Sequence, residues 1–177
     1  MNLTSLRSDD DASDWIDVMG PKMKPLTKWN EDYKDYMMFL CILPPGVAVP
    51  MHKHEDRETF YVLEGEAQGW VDGAWNALSA GEILDIHENE PHAWRNVSNQ
   101  EVKLILVTTA KMGAFFELIG RPLSAGAMPP TPEALAHLFE TADRFGYWLA
   151  PPEENARIGL AMPPIGQSEE FDNVSLS

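Results

Sequence analysis

The chain is short of cysteine, of basic residues and of long apolar runs, and each shortage removes a class of protein. One cysteine, Cys41, stands among 177 residues, so no internal disulfide is available. It lies in the apolar run YMMFLCIL, where a free cysteine behaves as a small buried hydrophobe. Lys and Arg number 13 against 28 Asp and Glu, for a formal net charge of −15. Nothing in that balance forms the basic stripe that neutralises phosphates, which excludes nucleic acid as a partner. An anionic membrane surface would repel the chain as well. No apolar run approaches the ~20 residues that cross a bilayer. The opening MNLTSLRSDDDASDW has no apolar core of a secretory signal. The expected setting is the cytoplasm, with no membrane partner.

Apolar residues make up 44% of the chain, well above the range of disordered sequences, so one folded unit is expected. Its order divides three ways. Residues 1–35 read as an N-terminal arm, acidic to Asp14 and then irregular or briefly helical, with Trp15, Ile16, Val18, Met19, Leu26 and Trp29 packing on the body. Residues 36–110 alternate short β-prone runs with turn signals: YMMFLCIL then PPG, FYVL then EG, EAQGWV then DG, ILDI then HENEP, HAWRNV then SNQ, and VKLILVTT. That rhythm marks an all-β barrel or sandwich, and Asp72-Gly73 reads as a tight hairpin. Residues 111–177 form a helical extension and an acidic tail. Gly113–Gly120 gives one or two turns. A clearer helix starts with Thr131 as cap and Pro132 at its first position and stops at Gly146. Leu135, Leu138, Phe139, Ala142 and Phe145 fall on one face of it. From Leu149 the prolines imply an irregular course, and the tail from Gln167 is expected to be dispensable for folding.

Histidines are the informative residues. His52 and His54 are two apart, so on a strand both rings leave the same face. Glu58, four further on, has even spacing and rejoins that face after a small irregularity. His92 belongs to a strand distant in sequence and completes the site only if the sheet curls closed. Imidazoles with a carboxylate suit Fe, Mn, Co, Ni, Cu or Zn, and four such ligands on an octahedral ion leave adjacent positions free.

The spacing Gly46-x5-His52-x-His54-x3-Glu58-x6-Gly65 matches the first motif of the cupin superfamily without a departure. The second motif usually reads G-x5-P-x-G-x2-H-x3-N. Gly81, His92 and Asn96 match it, while His87 replaces the proline and Asn89 the glycine. The chain therefore resembles the cupins over roughly residues 36–110. More loosely, FFELIGRP and the segment PPTPEALAHLFETADRFGYWLAPP resemble the helical tail of small quercetin-dioxygenase-like cupins. The resemblance implies a double-stranded β-helix (jelly-roll) barrel with short C-terminal helices. It also implies one divalent metal, iron first, on His52, His54, Glu58 and His92, and pairing of two copies through outer sheets. For a homodimer, the run Tyr36–Leu43 is the expected edge partner.

Other residues carry less. His87 fills a loop, and His137 sits beside an apolar helix stripe. Trp94 and Asn96 both share parity with His92, and either could face the interior. Phe60 and Val62 share parity with Glu58 and line the barrel behind the metal. From the first strand, either Tyr36, Met38 and Leu40 or Met37, Phe39 and Cys41 face inward. The leading functional expectation is a metal-dependent dioxygenase acting on a small cyclic or aromatic substrate, with Glu58 able to serve as a base. A redox-neutral isomerase, dehydratase or cyclase is the second expectation, and a non-enzymatic small-molecule binder the third.

Overall fold

The computed structural model describes residues 14–27, 35–123 and 130–161. In chain order its strands are β1 (Ile16–Asp17), β2 (Lys22–Pro25), β3 (Tyr36–Leu43), β4 (Ala48–Lys53), β5 (Glu58–Glu64), β6 (Glu66–Val71), β7 (Ala74–Ser79), β8 (Ile83–Ile86), β9 (His92–Arg95) and β10 (Val102–Thr109). There follow α1 (Ala110–Ile119), β11 (Arg121–Pro122), α2 (Pro132–Phe145), β12 (Trp148–Leu149) and α3 (Pro152–Arg157).

The strands collect into two antiparallel sheets, ordered β11-β1-β2-β3-β10-β5-β8 and β12-β4-β9-β6-β7. From β3 to β10 the chain passes from one sheet to the other at every connection except the β6–β7 hairpin. That winding is a double-stranded β-helix. The two inner faces share one core: Met37, Phe39, Val62 and Leu106 from the first sheet meet Ala67, Leu78 and Trp94 from the second. Each large apolar side chain buried there contributes on the order of 1.5–3 kcal/mol.

Every residue of β3 is apolar, so its letters hide which face turns in. Pairing to β10 over its whole length decides the matter. Met37, Phe39, Cys41 and Leu43 are buried, whereas Tyr36 is 60% exposed. Two turns set the crossings. Asp72 and Gly73 have φ of 52° and 78°, the paired left-handed residues that match the twist of a two-residue hairpin. Gly65 takes φ 83°, and a Cβ there would stand 3.0 Å from the Glu101 carbonyl oxygen. A glycine is therefore required where the chain leaves β5 for the opposite sheet.

Several expectations need correction. The segment after Asp14 is strand, not irregular arm or helix: β1 and β2 extend the larger sheet, with β2 paired to β3. β3 is therefore interior, flanked by β2 and β10, and cannot be the edge across which two copies pair. α1 starts at Ala110, capped by Thr109, so it runs longer than Gly113–Gly120. Past Leu149 the chain is not wholly irregular but forms α3, whose Asn155 is fully buried. Phe139 on α2 is exposed, while Leu138, Ala142 and Phe145 pack toward α1. Thr131 and Gly146 bound α2 as expected: the Thr131 hydroxyl accepts from the Ala134 amide at 3.2 Å, and Gly146 is left-handed. Trp29, Pro163, Pro164 and the acidic tail lie outside the described residues. No helix among those described is long and apolar enough to cross a membrane.

Candidate metal centre

β4 and β9 pair so that His52 stands directly opposite His92. Glu58 opens β5 on the facing sheet, where it pairs with Ile86. His54 lies in the short passage between β4 and β5 that carries the chain from one sheet to the other. Closure of the barrel thus brings four side chains to one point, and their donor atoms all lie within 4.8 Å of one another. The His52 and His92 ring centroids are 4.1 Å apart, and those of His54 and His92 are 5.0 Å apart.

The backbone fixes how each ring faces. Nδ1 of His52, His54 and His92 donates to the carbonyl of Pro50, Asp56 and Glu90, at 2.7, 2.8 and 2.8 Å. A carbonyl can only accept, so each neutral ring carries its proton on Nδ1 and turns the Nε2 lone pair inward. This tether orients metal-binding imidazoles. Nε2 of His92 and of His54 lie 3.1 and 3.6 Å from the same Glu58 oxygen. Lone pairs cannot face a carboxylate so closely without a positive charge between them. His54 Nε2 is buried and has no hydrogen-bond partner. Bonds of ~2.1 Å to a common ion place neighbouring donors about 3–3.5 Å apart. The donor set, its spacing and its orphaned nitrogen therefore fit a divalent transition metal.

A proton competes for the same place. Burial opposes charge on His54, but the nearby Glu58 carboxylate outweighs that and raises its pKa. Burial would likewise raise Glu58, yet His54 and His92 hold it well below the usual carboxylate range. Burial, followed by the neighbouring His92 and His54, pushes His52 down to about 3, so that ring is neutral at physiological pH. Burial, reinforced by Glu58, drives the Cys41 thiol up. It stays protonated and is no nucleophile.

An apolar cavity of about 100 Å³ reaches the centre at His52 and Glu58. Cys41, Phe60, Trp94 and Leu106 form inner walls, while Met23 and Phe116 bring in the N-terminal strands and α1. Phe60 lines it as its parity implied, and Trp94 rather than Asn96 faces it. Asn96 is instead a structural clasp whose amide donates to the Leu43 and Gln100 carbonyls at 2.8 and 2.7 Å. His87 is largely exposed beside Asp85, and His137 reaches the Leu118 carbonyl. Neither joins the cluster.

Support for His54 comes from residues the sequence did not single out. The buried Asp56 carboxylate accepts from the Tyr147 hydroxyl at 2.5 Å and from the Thr109 hydroxyl. The Tyr147 ring packs on His54 with centroids 5.2 Å apart. β12 then adds to β4, placing Leu149 opposite His52. Asn89, standing where the second cupin motif has glycine, adopts φ 60°, and its backbone N–H donates to the His54 carbonyl at 2.6 Å. Asn is among the few side chains that tolerate this conformation, so the departure keeps the turn.

Comparison with known proteins agrees with this fold. A family model for the cupin domain matches residues 39–108. Quercetin 2,3-dioxygenase of Bacillus subtilis is 32% identical over 93 residues, covering 52% of this chain and 28% of that protein. An oxalate-binding protein of Thermotoga maritima is 33% identical over 66 residues, covering 37% of this chain and 54% of that one. The chain thus spans 28% and 54% of the length of these curated relatives. A Cupin 2 conserved barrel domain protein from Salinispora arenicola shares the fold. It has a TM-score of 0.51 at 18% identity, over 81% of this chain and 99% of that one.

Proposed function

With residues 39–108 a cupin domain, we propose that this chain is a metal-dependent dioxygenase acting on a small cyclic or aromatic substrate held in the barrel. The observation that carries the reading is the join of two features. Three backbone-tethered imidazoles and one carboxylate converge at the polar end of a cavity that is otherwise apolar. A redox-capable cation there, iron by preference, supplies Lewis acidity and an electron path to dioxygen when bound. His52, His54 and His92 hold it through Nε2. Glu58, kept ionised, accepts a hydrogen bond or a proton from a substrate hydroxyl at the cavity's polar end. Phe60, Trp94 and Leu106 keep bulk water out and present flat apolar walls to a ring. The likeness to quercetin 2,3-dioxygenase supports the reaction type.

A second reading is redox-neutral isomerisation, dehydration or cyclisation. It is favoured by Glu58 itself, an ionised carboxylate in an apolar cavity that can move a proton without oxygen. The test gives Fe(II), Mn(II), Co(II) and Ni(II) forms a panel of catechols, flavonols and enolisable ketones, with and without dioxygen. Oxygen-dependent product formation supports the dioxygenase. Equal turnover in strict anaerobiosis replaces it with the redox-neutral reading, and tight binding without turnover leaves a small-molecule binding protein.

The proposed setting is cytoplasmic and the proposed assembly a homodimer. With β3 covered, the supported face is the edge at β8, where Tyr61 and Ile83 pair across strands at 41% and 60% exposure. Light scattering that returns the mass of one 19.8 kDa chain overturns the dimer.

A further inference from the structure

The cupin family model ends at residues 39 and 108, but the cavity does not. Val18, Pro21 and Met23 of the N-terminal hairpin and Phe116 of α1 line it as well. Val18, Pro21 and Phe116 are half-buried and keep part of their surface accessible, unlike the buried Phe60 and Leu106.

Strand order says which end of the cavity these residues occupy. Glu58 opens β5, and the sheet runs from there through β10 and β3 to β2. Phe60, Leu106 and Cys41 lie on the first three of these strands, and Met23 lies on β2 directly opposite Cys41. At the ~4.8 Å spacing of strands, three steps put Met23 about 14 Å across the sheet from the strand that carries Glu58. The hairpin and α1 therefore wall the end remote from the metal centre.

The sequence keeps charge away from that end. β2 reads KMKP, so Met23 turns in while Lys22 and Lys24 turn out. Lys22 pairs with Glu101 at 3.3 Å and Lys24 with Asp14 at 3.5 Å. The turn that carries Val18 and Pro21 is held firmly. The Val18 N–H donates to the Pro21 carbonyl at 2.8 Å. The buried Asp17 carboxylate accepts from the Gly20 N–H at 2.8 Å and from Arg121 of β11 at 3.1 Å. Among the described residues lining the cavity there is no Lys or Arg. A charged group brought to this end would lose water and meet no counter-charge in the wall.

We propose that the β1–β2 hairpin and α1 set the specificity of the site, with Val18, Pro21, Met23 and Phe116 receiving the far end of the substrate. This rests on the reading of the cavity as the substrate site and deepens it by naming the substrate class. That substrate is a ring that meets the metal through oxygen and extends away from it as an uncharged, apolar group.

The test measures calorimetric affinities under nitrogen, on the full chain with and without Co(II). Its three probes share one head: catechol, 4-phenylcatechol, and 4-phenylcatechol with a carboxylate at the far end of its second ring. Wild type is expected to bind phenylcatechol about tenfold tighter than catechol, because a further ring is buried. The carboxylate should bind about tenfold more weakly than phenylcatechol. Phe116→Ala should cut the advantage of phenylcatechol over catechol about fivefold and leave catechol itself unchanged. Val18→Lys should narrow the gap between phenylcatechol and its carboxylate about fivefold, by supplying the counter-charge. Phenylcatechol no tighter than catechol, a carboxylate bound as tightly as phenylcatechol, preferences unmoved in both variants, or no probe bound in either form overturns the proposal. Val18 lies on a half-exposed turn, so the answer does not hang on the folding of the Phe116 variant. Each preference is a ratio within one form of the protein. If the metal reading alone is wrong, Co(II) changes no affinity and the preferences stand.

Discussion

Replacing Tyr147 with Phe removes a single oxygen and leaves a ring that packs on Phe115 with centroids 4.8 Å apart. The oxygen lost donates to Asp56 at 2.5 Å, and both residues are buried. Burial, then the Asp56 charge, raises the Tyr147 pKa, so the hydroxyl is a donor at any working pH. A hydrogen bond to a buried charged acceptor is worth about 1.5–3 kcal/mol, and Asp56 keeps only the Thr109 hydroxyl in its place. The expected loss for Tyr147→Phe is therefore about 2 kcal/mol. For a chain of this length that corresponds to a fall in melting temperature of about 4–8 °C, measured on metal-free protein. The change should also reach the metal centre. The Asp56 carbonyl is what holds His54 Nδ1, so a loosened Asp56 lets the ring swing. Removing such outer support costs metal sites about 10–100-fold in affinity; with the tether itself intact, the low end applies, about tenfold for Co(II) followed by its visible absorption. A melting temperature within about 1 °C of wild type, together with an unchanged Co(II) affinity, would refute the view that the C-terminal extension braces the site.

Three further outcomes are expected. Asp85 is held down to about 2, from 3.8, by hydrogen bonds from Arg57 and Thr59 and by the Arg57 charge. Its stabilisation is present above the unfolded value and is lost as pH falls through the folded one. Asp85→Asn should thus flatten the acid limb of a urea-denaturation series between about pH 4 and pH 2, and an unaltered slope would contradict the assignment. Gly113→Ala places a Cβ 2.6 Å from Met37 Cγ in the packed seam between α1 and β3. Despite the better helix propensity it should destabilise by about 1–3 kcal/mol in chemical denaturation. Glu58→Gln should retain metal at reduced affinity while abolishing turnover of any substrate found, which separates base from ligand. Retained turnover would limit Glu58 to ligation.

Much of the barrel was legible because its signals are local. The Asp72-Gly73 hairpin, the Thr131 and Gly146 caps of α2 and the even spacing from His52 to Glu58 each depend on residues a few positions apart. What escaped depends on partners far away. β1 and β2 are two and four residues long and exist only because β3 offers an edge to them. β3 itself reads YMMFLCIL, in which no polar residue marks the outer face, so parity was undecidable until β10 set the register. Asp56 and Tyr147 are 91 residues apart, and nothing in either neighbourhood announces the bond. His92 was placed only through the motif spacing, since its own surroundings are a loop and a four-residue strand. Asn89 was read as a departure from the motif, whereas its left-handed backbone shows it doing the glycine's work.

The central claim is that His52, His54, Glu58 and His92 together bind one divalent metal, and elemental analysis of metal-supplied, dialysed protein tests it most directly. Wild type should carry about one ion per chain, His92→Ala should lose nearly all of it because the three remaining donors no longer close the site, and His87→Ala and His137→Ala should keep it. Equal retention by all three variants, or equal loss from all three, would contradict the account.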